Sequence, residues 1–472
     1  MNKSIFIILI CFLAACAAPI SEDAIDFDSL SLDIGKLGED DGFSGIYWVA
    51  NEDSILFEAA YGYANLEEQT PITPDTRFNL ASMNKLFTAA IVMRLRDAGK
   101  LELSDLVGAH LPDYPNATVK DSVTVQQLLS HTSGMGDMFT PAFEDSDPNT
   151  IRSLNDYLDK FVDEPLGFAP GESFGYSNAG YIVLGKVIEA VTGEDYYSYV
   201  QQDLFVPLGM NNTGWYTGDS LFTTVAKAYA QVDSTGQRET NPYLVMIGSS
   251  AGGGYSSAND LLLYARSFAA GKVVSASTLS EMREDRFGNE YGYGLTVKTL
   301  NETPVYGHNG GFPGVSGEVD IYPTLGLYAI SLSNRGPRDG WATARSLVRT
   351  AIVGQTEDAT GILNAERLLE IYRSSNLEVA LAALDTMQGE ITVNQLISAS
   401  EGYDTAGEQA KAIDVLQLCI TIDPENWFPI SIMADLQFKS GDTPSAIENW
   451  KRSLVLNPDN QWAKDRLTEL GQ

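Results

Sequence analysis

Residues 86–93, LFTAAIVM, contain a single polar side chain, Thr88, and no charge falls between Lys85 and Arg94. A surface helix keeps one face polar. This segment is apolar on most sides, so as a helix it has to be central and wrapped by other elements, with Gly99 ending the run. Such a helix demands a large core. The chain supplies it: 472 residues, 44% hydrophobic and 20% charged. That length exceeds one ordinary core, so two or three domains are expected.

The residues leading into this helix, LASMNKL (80–86), put Ser82 and Lys85 three apart, on one face of a turn. A serine hydroxyl is a poor nucleophile until a base takes its proton. A lysine carried into an apolar helix is disfavoured as a cation, so its pKa should fall from about 10.4. Alone, the pair is equally an ordinary helix start.

Three further stretches resolve that choice. They are FGYSNAGY with Tyr176, Ser177 and Asn178, YGHNGGFPGVSG with His308, Asn309, Gly310 and Gly311, and LLSHTSG at 128–134. With FNLASMNK they resemble, in order and separation, the serine β-lactamase-related, penicillin-binding-protein-like hydrolases. That family includes class C β-lactamases, D-Ala-D-Ala peptidases, D-aminopeptidases and esterases. The resemblance spans residues 30–355 and implies an α+β, β-lactamase/transpeptidase-like fold, an antiparallel sheet flanked by helices.

It also implies roles. Ser82 would be the nucleophile and Lys85 its base. Tyr176 would share the proton work, its phenol lowered by the neighbouring ammonium. Asn178 would hydrogen-bond the substrate amide and the lysine. The backbone N–H groups of Ser82 and Gly311, just after His308-Asn309-Gly310, would hold the oxyanion. One departure stands out: where β-lactamases carry Lys-Thr-Gly, this strand reads His-Asn-Gly. A histidine near pKa 6.5 is mostly neutral at pH 7 and holds a substrate carboxylate weakly. An ester, amide or small peptide is favoured over efficient β-lactam hydrolysis.

His131 reads as structural, in a turn whose side chains cap backbone groups. Ser177 and Glu318 have no assigned role. AGGGYSSAND (251–260) should wall the cleft and cap a helix at Ser257. No Gly-x-Ser-x-Gly elbow surrounds Ser82, and no His-Glu-x-x-His occurs. No cofactor and no metal site are expected. Strand-like runs lie at both ends of the hydrolase region: SGIYWVA and SILFEAAYGYA early, then YGLTVKTL, PVYGHNG, SGEVDIYP and LYAISLSN. A helix over 341–353 closes the domain, again an α+β pattern.

The flanks carry their own signals. Lys3, an apolar run from Ile5 to Leu13 and small residues ending at Cys16 describe a secretory leader too short to span a bilayer. LAAC resembles the lipoprotein lipobox, which implies a signal peptide over 1–15, lipid on Cys16 and an acidic linker over 16–29. The alternative is a cleavable leader with an incidental cysteine. With Ala17 next, Gram-negative sorting would favour the outer membrane, hence a lipid-anchored, periplasm-facing protein in the cell envelope. Only Cys419 would remain unmodified, so no disulfide is expected in the mature monomer.

At the other end, AIDVLQLCITIDPEN (412–426) aligns with AIENWKRSLVLNPDN (446–460) at an offset of 34 residues. That period resembles the tetratricopeptide repeat. It implies an all-α tail over 393–472 with a capping helix, after connecting helices over 356–392 that supply a third unit. Such a tail would offer a surface to a protein partner. The net charge of −33 argues against nucleic acid.

Three readings follow. One is an acyl-enzyme hydrolase acting on an ester, amide or small D-amino-acid peptide. Another is a catalytically weak sensor or scaffold of cell-wall fragments that recruits a partner through the tail. In the last, the repeats carry the function and the hydrolase fold is a relic.

Overall fold

A single antiparallel sheet organises the hydrolase region. The structure is a computed structural model that describes residues 25–39, 43–215, 225–232, 238–336 and 340–472. The leader over 1–15, Cys11, Cys16 and most of the expected linker lie outside those residues. The strands are β1 (Gly45–Ala50), β2 (Ile55–Tyr61), β3 (Thr296–Leu300), β4 (Thr303–Phe312), β5 (Val315–Tyr322) and β6 (Leu327–Ser333). Their order is β2-β1-β6-β5-β4-β3, so the N-terminal hairpin joins the C-terminal meander through the β1–β6 pair. The expected runs at both ends of the sequence therefore build one sheet.

Every residue of β1, β5 and β6 is buried, because helices cover both faces. Alternation splits the strands between two cores. Ile46 and Trp48 of β1 face one, with α2 (Lys85–Asp97), α3 (Asn178–Thr192) and α4 (Ala258–Ala269). Tyr47 and Val49 face the other, with α1 (Phe27–Glu39) and α5 (Ala342–Val353). α1 begins at Phe27, inside the stretch expected as linker, and buries Leu30 and Ile34 against the sheet. α2 is the apolar helix of the sequence: Lys85 to Met93 are all buried. At roughly 2 kcal/mol for each large side chain taken from water, its core-facing residues are a main source of stability.

After α5 the chain is helical: α6 (Glu357–Ser374), α7 (Leu377–Leu384), α8 (Val393–Thr405), α9 (Gln409–Ile422), α10 (Trp427–Lys439), α11 (Thr443–Leu456) and α12 (Gln461–Glu469). The bounds of α8 and α9 recur in α10 and α11 with an offset of 34 residues, and α12 starts 34 residues after α10. Gly407 and Gly441 take the same left-handed turn at equivalent places, φ +76° and +92°. Cys419 is free and buried in the α6–α9 core. α6 packs on α5, so these helices attach to the sheet face opposite α2 and α3.

Candidate active site

Ser82 lies on a 3-10 turn, Ala81–Asn84, that leads directly into α2. Ala81 is held at φ +42°, a left-handed conformation that costs a residue with a side chain about 1–3 kcal/mol. Its surroundings enforce it. The Ala81 N–H donates to Asn79 Oδ1 at 2.9 Å, and its carbonyl accepts from the Gly253 N–H at 3.1 Å. A Cβ on Gly252 would lie 2.9 Å from that carbonyl, which is why AGGG has to be glycine here. The 251–253 segment walls the cleft, and Ser257 caps α4 by accepting from the Asp260 N–H, both as the sequence indicated.

Lys85, the first residue of α2, is completely buried. Its Nζ reaches Ser82 Oγ at 3.2 Å, Asn178 Oδ1 at 2.7 Å and the Ala251 carbonyl at 2.7 Å. No carboxylate touches it among the described residues. Burial pulls its pKa from 10.5 down to about 7, with Asp137 opposing from a distance. The ring of Tyr176 lies 4.7 Å from Nζ.

The Tyr176 hydroxyl hydrogen-bonds the Ser82 side chain, but the expected lowering of its pKa does not occur. Burial pushes the phenol up, and the Ser82 bond offsets only part of that rise. The ammonium expected to lower it is itself only about half-charged near pH 7. Tyr176 therefore keeps its proton and enters the site as a donor. Its ring packs on that of His131, centroids 4.2 Å apart. His131 sits at φ +57° and accepts the Ser177 N–H on Nδ1 at 3.0 Å. Burial, then Lys85 and His308, hold it well below its ordinary pKa, so it is neutral with its proton on Nε2. This matches the capping turn read from HTSG and adds a contact the sequence did not show.

Ser177 is the N-cap of α3, accepting from the Gly180 N–H at 2.8 Å, and its hydroxyl donates to the Gly136 carbonyl at 2.8 Å. Asn178 follows. Its Nδ2 faces Asp137, 3.0 Å from Oδ1 and 3.2 Å from Oδ2. Asp137 is a site residue that sequence reasoning missed. It is one acidic residue in a glycine-containing loop, 41 positions from its partner, and no spacing signals it.

β4 supplies the far wall. A Cβ on Gly310 would stand 2.2 Å from the Leu80 carbonyl and 3.1 Å from the Ser82 backbone nitrogen. Glycine is thus what lets the strand lie against the nucleophile's backbone. β3 pairs with β4 only as far as Gly307, while β5 pairs through Phe312. Beyond Gly307, whose carbonyl accepts from Thr296 on the β3 side, the outer edge of β4 has no strand partner among the described residues, so the backbone N–H groups of the alternate residues Asn309 and Gly311 face that open edge. Gly311 lines the same cleft as Ser82.

His308 corrects an expectation. Its side chain is buried, with Nε2 3.0 Å from the Tyr291 hydroxyl and Nδ1 2.6 Å from the Asn309 carbonyl. It does not line the cleft. Burial and the Lys85 charge push its pKa down to about 3. It holds no substrate carboxylate; it ties β4 to the aromatic packing behind Lys85. Glu318 is likewise structural, bonded to Arg349 on the opposite face of the sheet at 2.8 Å.

The cleft is open to solvent along one side, and with that open space it measures about 580 Å³. Besides Ser82, Asn178 and Gly311 it is lined by Met138, Phe139, Tyr157, Tyr243, Leu244, Met246, Ile247 and Phe312, and no lining residue is charged.

A family model described as Beta-lactamase matches residues 33–352. Penicillin-binding protein 4* of Bacillus subtilis (strain 168) is 30% identical over 321 residues, covering 63% of this chain and 70% of that protein. A penicillin binding protein from Bacillus halodurans superposes with a TM-score of 0.60 at 31% identity, over 68% of this chain and 99% of that one. A D-stereospecific amidohydrolase from Streptomyces sp. shares the fold, with a TM-score of 0.57 at 23% identity over 70% of this chain and 99% of that one.

Proposed function

The chain belongs to the beta-lactamase family of penicillin-binding-protein-like serine hydrolases, and from that premise we propose that it hydrolyses an ester, amide or small D-amino-acid peptide through an acyl-enzyme on Ser82. One observation carries this reading: Lys85 Nζ stands 3.2 Å from Ser82 Oγ, buried without a touching carboxylate, and half-neutral near pH 7. A base poised at working pH takes the serine proton as the hydroxyl attacks the carbonyl. The oxygen becomes an oxyanion held by the N–H groups of Ser82 and Gly311, each worth about 3–4 kcal/mol when aimed correctly. Tyr176, which retains its proton, passes it to the leaving group and is re-protonated from Lys85. A water then attacks the acyl-enzyme by the reverse relay.

The neutral, apolar cleft supports uncharged or apolar acyl groups, and the shared fold of a D-stereospecific amidohydrolase keeps D-amino-acid amides among the candidates. Efficient β-lactam hydrolysis is disfavoured, since no cation lines the cleft to meet the carboxylate. We further read α8 to α12 as tetratricopeptide-like repeats that offer a partner surface, supported by the 34-residue recurrence of helix bounds. The LAAC motif supports a lipid anchor at Cys16 in the cell envelope, facing the periplasm from the outer membrane.

The test is labelling with a fluorophosphonate and a fluorescent penicillin, followed by a screen over esters, D-amino-acid amides, D-Ala-D-Ala peptides and nitrocefin. A fluorophosphonate adduct on Ser82 that is lost in Ser82→Ala is expected. Labelling by neither probe would sink the hydrolase reading and leave the sensor of cell-wall fragments.

A further inference from the structure

We propose that Asp137 sorts substrates by charge, so that the cleft takes acyl groups bearing an ammonium or no charge near the scissile carbonyl and turns away those bearing a carboxylate. This rests on the hydrolase reading above and adds the residue that sets its specificity.

Asp137 is exposed, yet it is not loose. Its Oδ1 accepts the Met138 N–H at 2.7 Å, and Asn178 Nδ2 approaches both carboxylate oxygens. The preceding residue is fixed as well, because Ser177 donates to the Gly136 carbonyl. The carboxylate is thus held at the mouth of the cleft, between Met138 and Phe139 on one side and Asn178 on the other, all three of which line it. No salt bridge engages Asp137 among the described residues, so its charge is not cancelled locally. Its field reaches inward as far as Lys85 and Tyr176.

Nothing opposes it. No charged side chain lines the cleft, and His308 is neutral and turned into the aromatic packing. Arg152, near the rim, donates to the Val245 carbonyl at 2.8 Å. Asn178 is committed on both sides: Oδ1 to Lys85 and Nδ2 to Asp137. An incoming acyl group therefore meets one fixed negative charge at the mouth and, apart from the half-protonated Lys85 behind Ser82, no positive one.

Three p-nitrophenyl esters of matched length test this: 4-trimethylammoniobutanoate, the isosteric 5,5-dimethylhexanoate, and the glutarate monoester. Wild type is expected to favour the cationic over the anionic ester by at least about tenfold in kcat/KM, a difference of roughly 1.4 kcal/mol. Asp137→Asn keeps an acceptor for Asn178 and removes the charge, and should bring that ratio within about threefold of one. Should that variant fail to fold, wild type alone still decides: 1 M salt, where the Debye length is about 3 Å, should collapse the ratio. A wild-type ratio near one, or one that neither Asp137→Asn nor salt moves, overturns the inference. If Ser82 is labelled and the neutral ester turns over in that case, the hydrolase reading survives. If Ser82 is not labelled at all, both fall.

Discussion

Two cations are buried on opposite faces of the same sheet, and they have opposite fates. Arg349 of α5 is clamped between Glu318 Oε1 at 2.8 Å and Asp320 Oδ2 at 2.9 Å. Burial alone would pull its pKa down, but Asp320 and Glu318 outweigh that and push it up. Lys85 of α2 is buried as deeply and contacts a hydroxyl, an amide oxygen, a backbone carbonyl and the Tyr176 ring, none of them a carboxylate. With no counter-ion at hand, its pKa falls to about 7. Burial with carboxylates locks a proton in place and makes structure. Burial without them frees the proton and makes a base. The fold uses the first to fasten α5 to the sheet and the second beside Ser82.

The comparison breaks most sharply at the nucleophile. Ser82→Ala should lower turnover by about 10⁶-fold with the melting temperature little changed, and Lys85→Ala should cost a similar factor. Steady-state kinetics on the double variant should show no further loss. A double variant far slower than either single one would mean that the two residues do not act as a unit.

Arg349→Met tests the other face. Removing the guanidinium leaves buried Asp320 without a cation and Glu318 with only the longer Arg345 contact at 3.6 Å, so denaturant unfolding should show about 3–5 kcal/mol of lost stability. The folded fraction should keep the wild-type pH–rate profile. A shifted profile would show that the two faces are electrically coupled.

Gly310→Ala sharpens the site face alone. The added methyl would meet the Leu80 carbonyl at 2.2 Å, so β4 has to move off the Ser82 backbone. A displaced oxyanion donor costs about 10²–10³-fold in kcat. Gly311→Ala, whose methyl meets nothing within 4 Å, should leave the melting temperature unchanged. Equal kinetics for Gly310→Ala and wild type would remove Gly310 from the account.

The smallest effect is expected from the tail. Removing residues 388–472 should leave ester turnover within about threefold, below roughly 1 kcal/mol in barrier, because the helices attach through α6 to the face away from the cleft. A folded truncate that loses most turnover would show that the tail helps build the site.

Residues close in sequence, or on a period, were the legible ones. The Ser82–Lys85 spacing, the TyrSerAsn run, the strands at both ends and the 34-residue offset all lie in local pattern. What escaped depends on packing between distant segments. His308 reads as a titrating group until Tyr291, 17 positions away, caps its Nε2 inside the core. The Tyr176 pKa was expected to follow its neighbour's charge, but burial dominates the shifts of both groups and leaves Lys85 only half-charged near pH 7. Asp137 gains meaning only when the loop at 133–139 is fastened to the start of α3. The first residues of the helix from Phe27 were read as the end of a linker over 16–29, although Phe27 packs with Leu30 and Ile34 beside the sheet at helical spacing.

The most direct test of the central claim is the pH dependence of kcat/KM for a neutral ester. The base works when deprotonated, so activity should rise with pH through about 7 and then level. No inflection is expected near 6.5, since His308 is already neutral there. Stability offers the matching sign check. Between about pH 7 and 10.4 the unfolded chain binds the lysine proton and the folded one does not, so this contribution to stability rises with pH. Lys85→Met should therefore gain on wild type as pH is lowered from 10 to 7. An activity limb near 7 that vanishes in Lys85→Met is the result this account requires. A flat profile from pH 5.5 to 9, or a limb near 10, would mean that Lys85 keeps its proton and that burial without a counter-ion does not make the base.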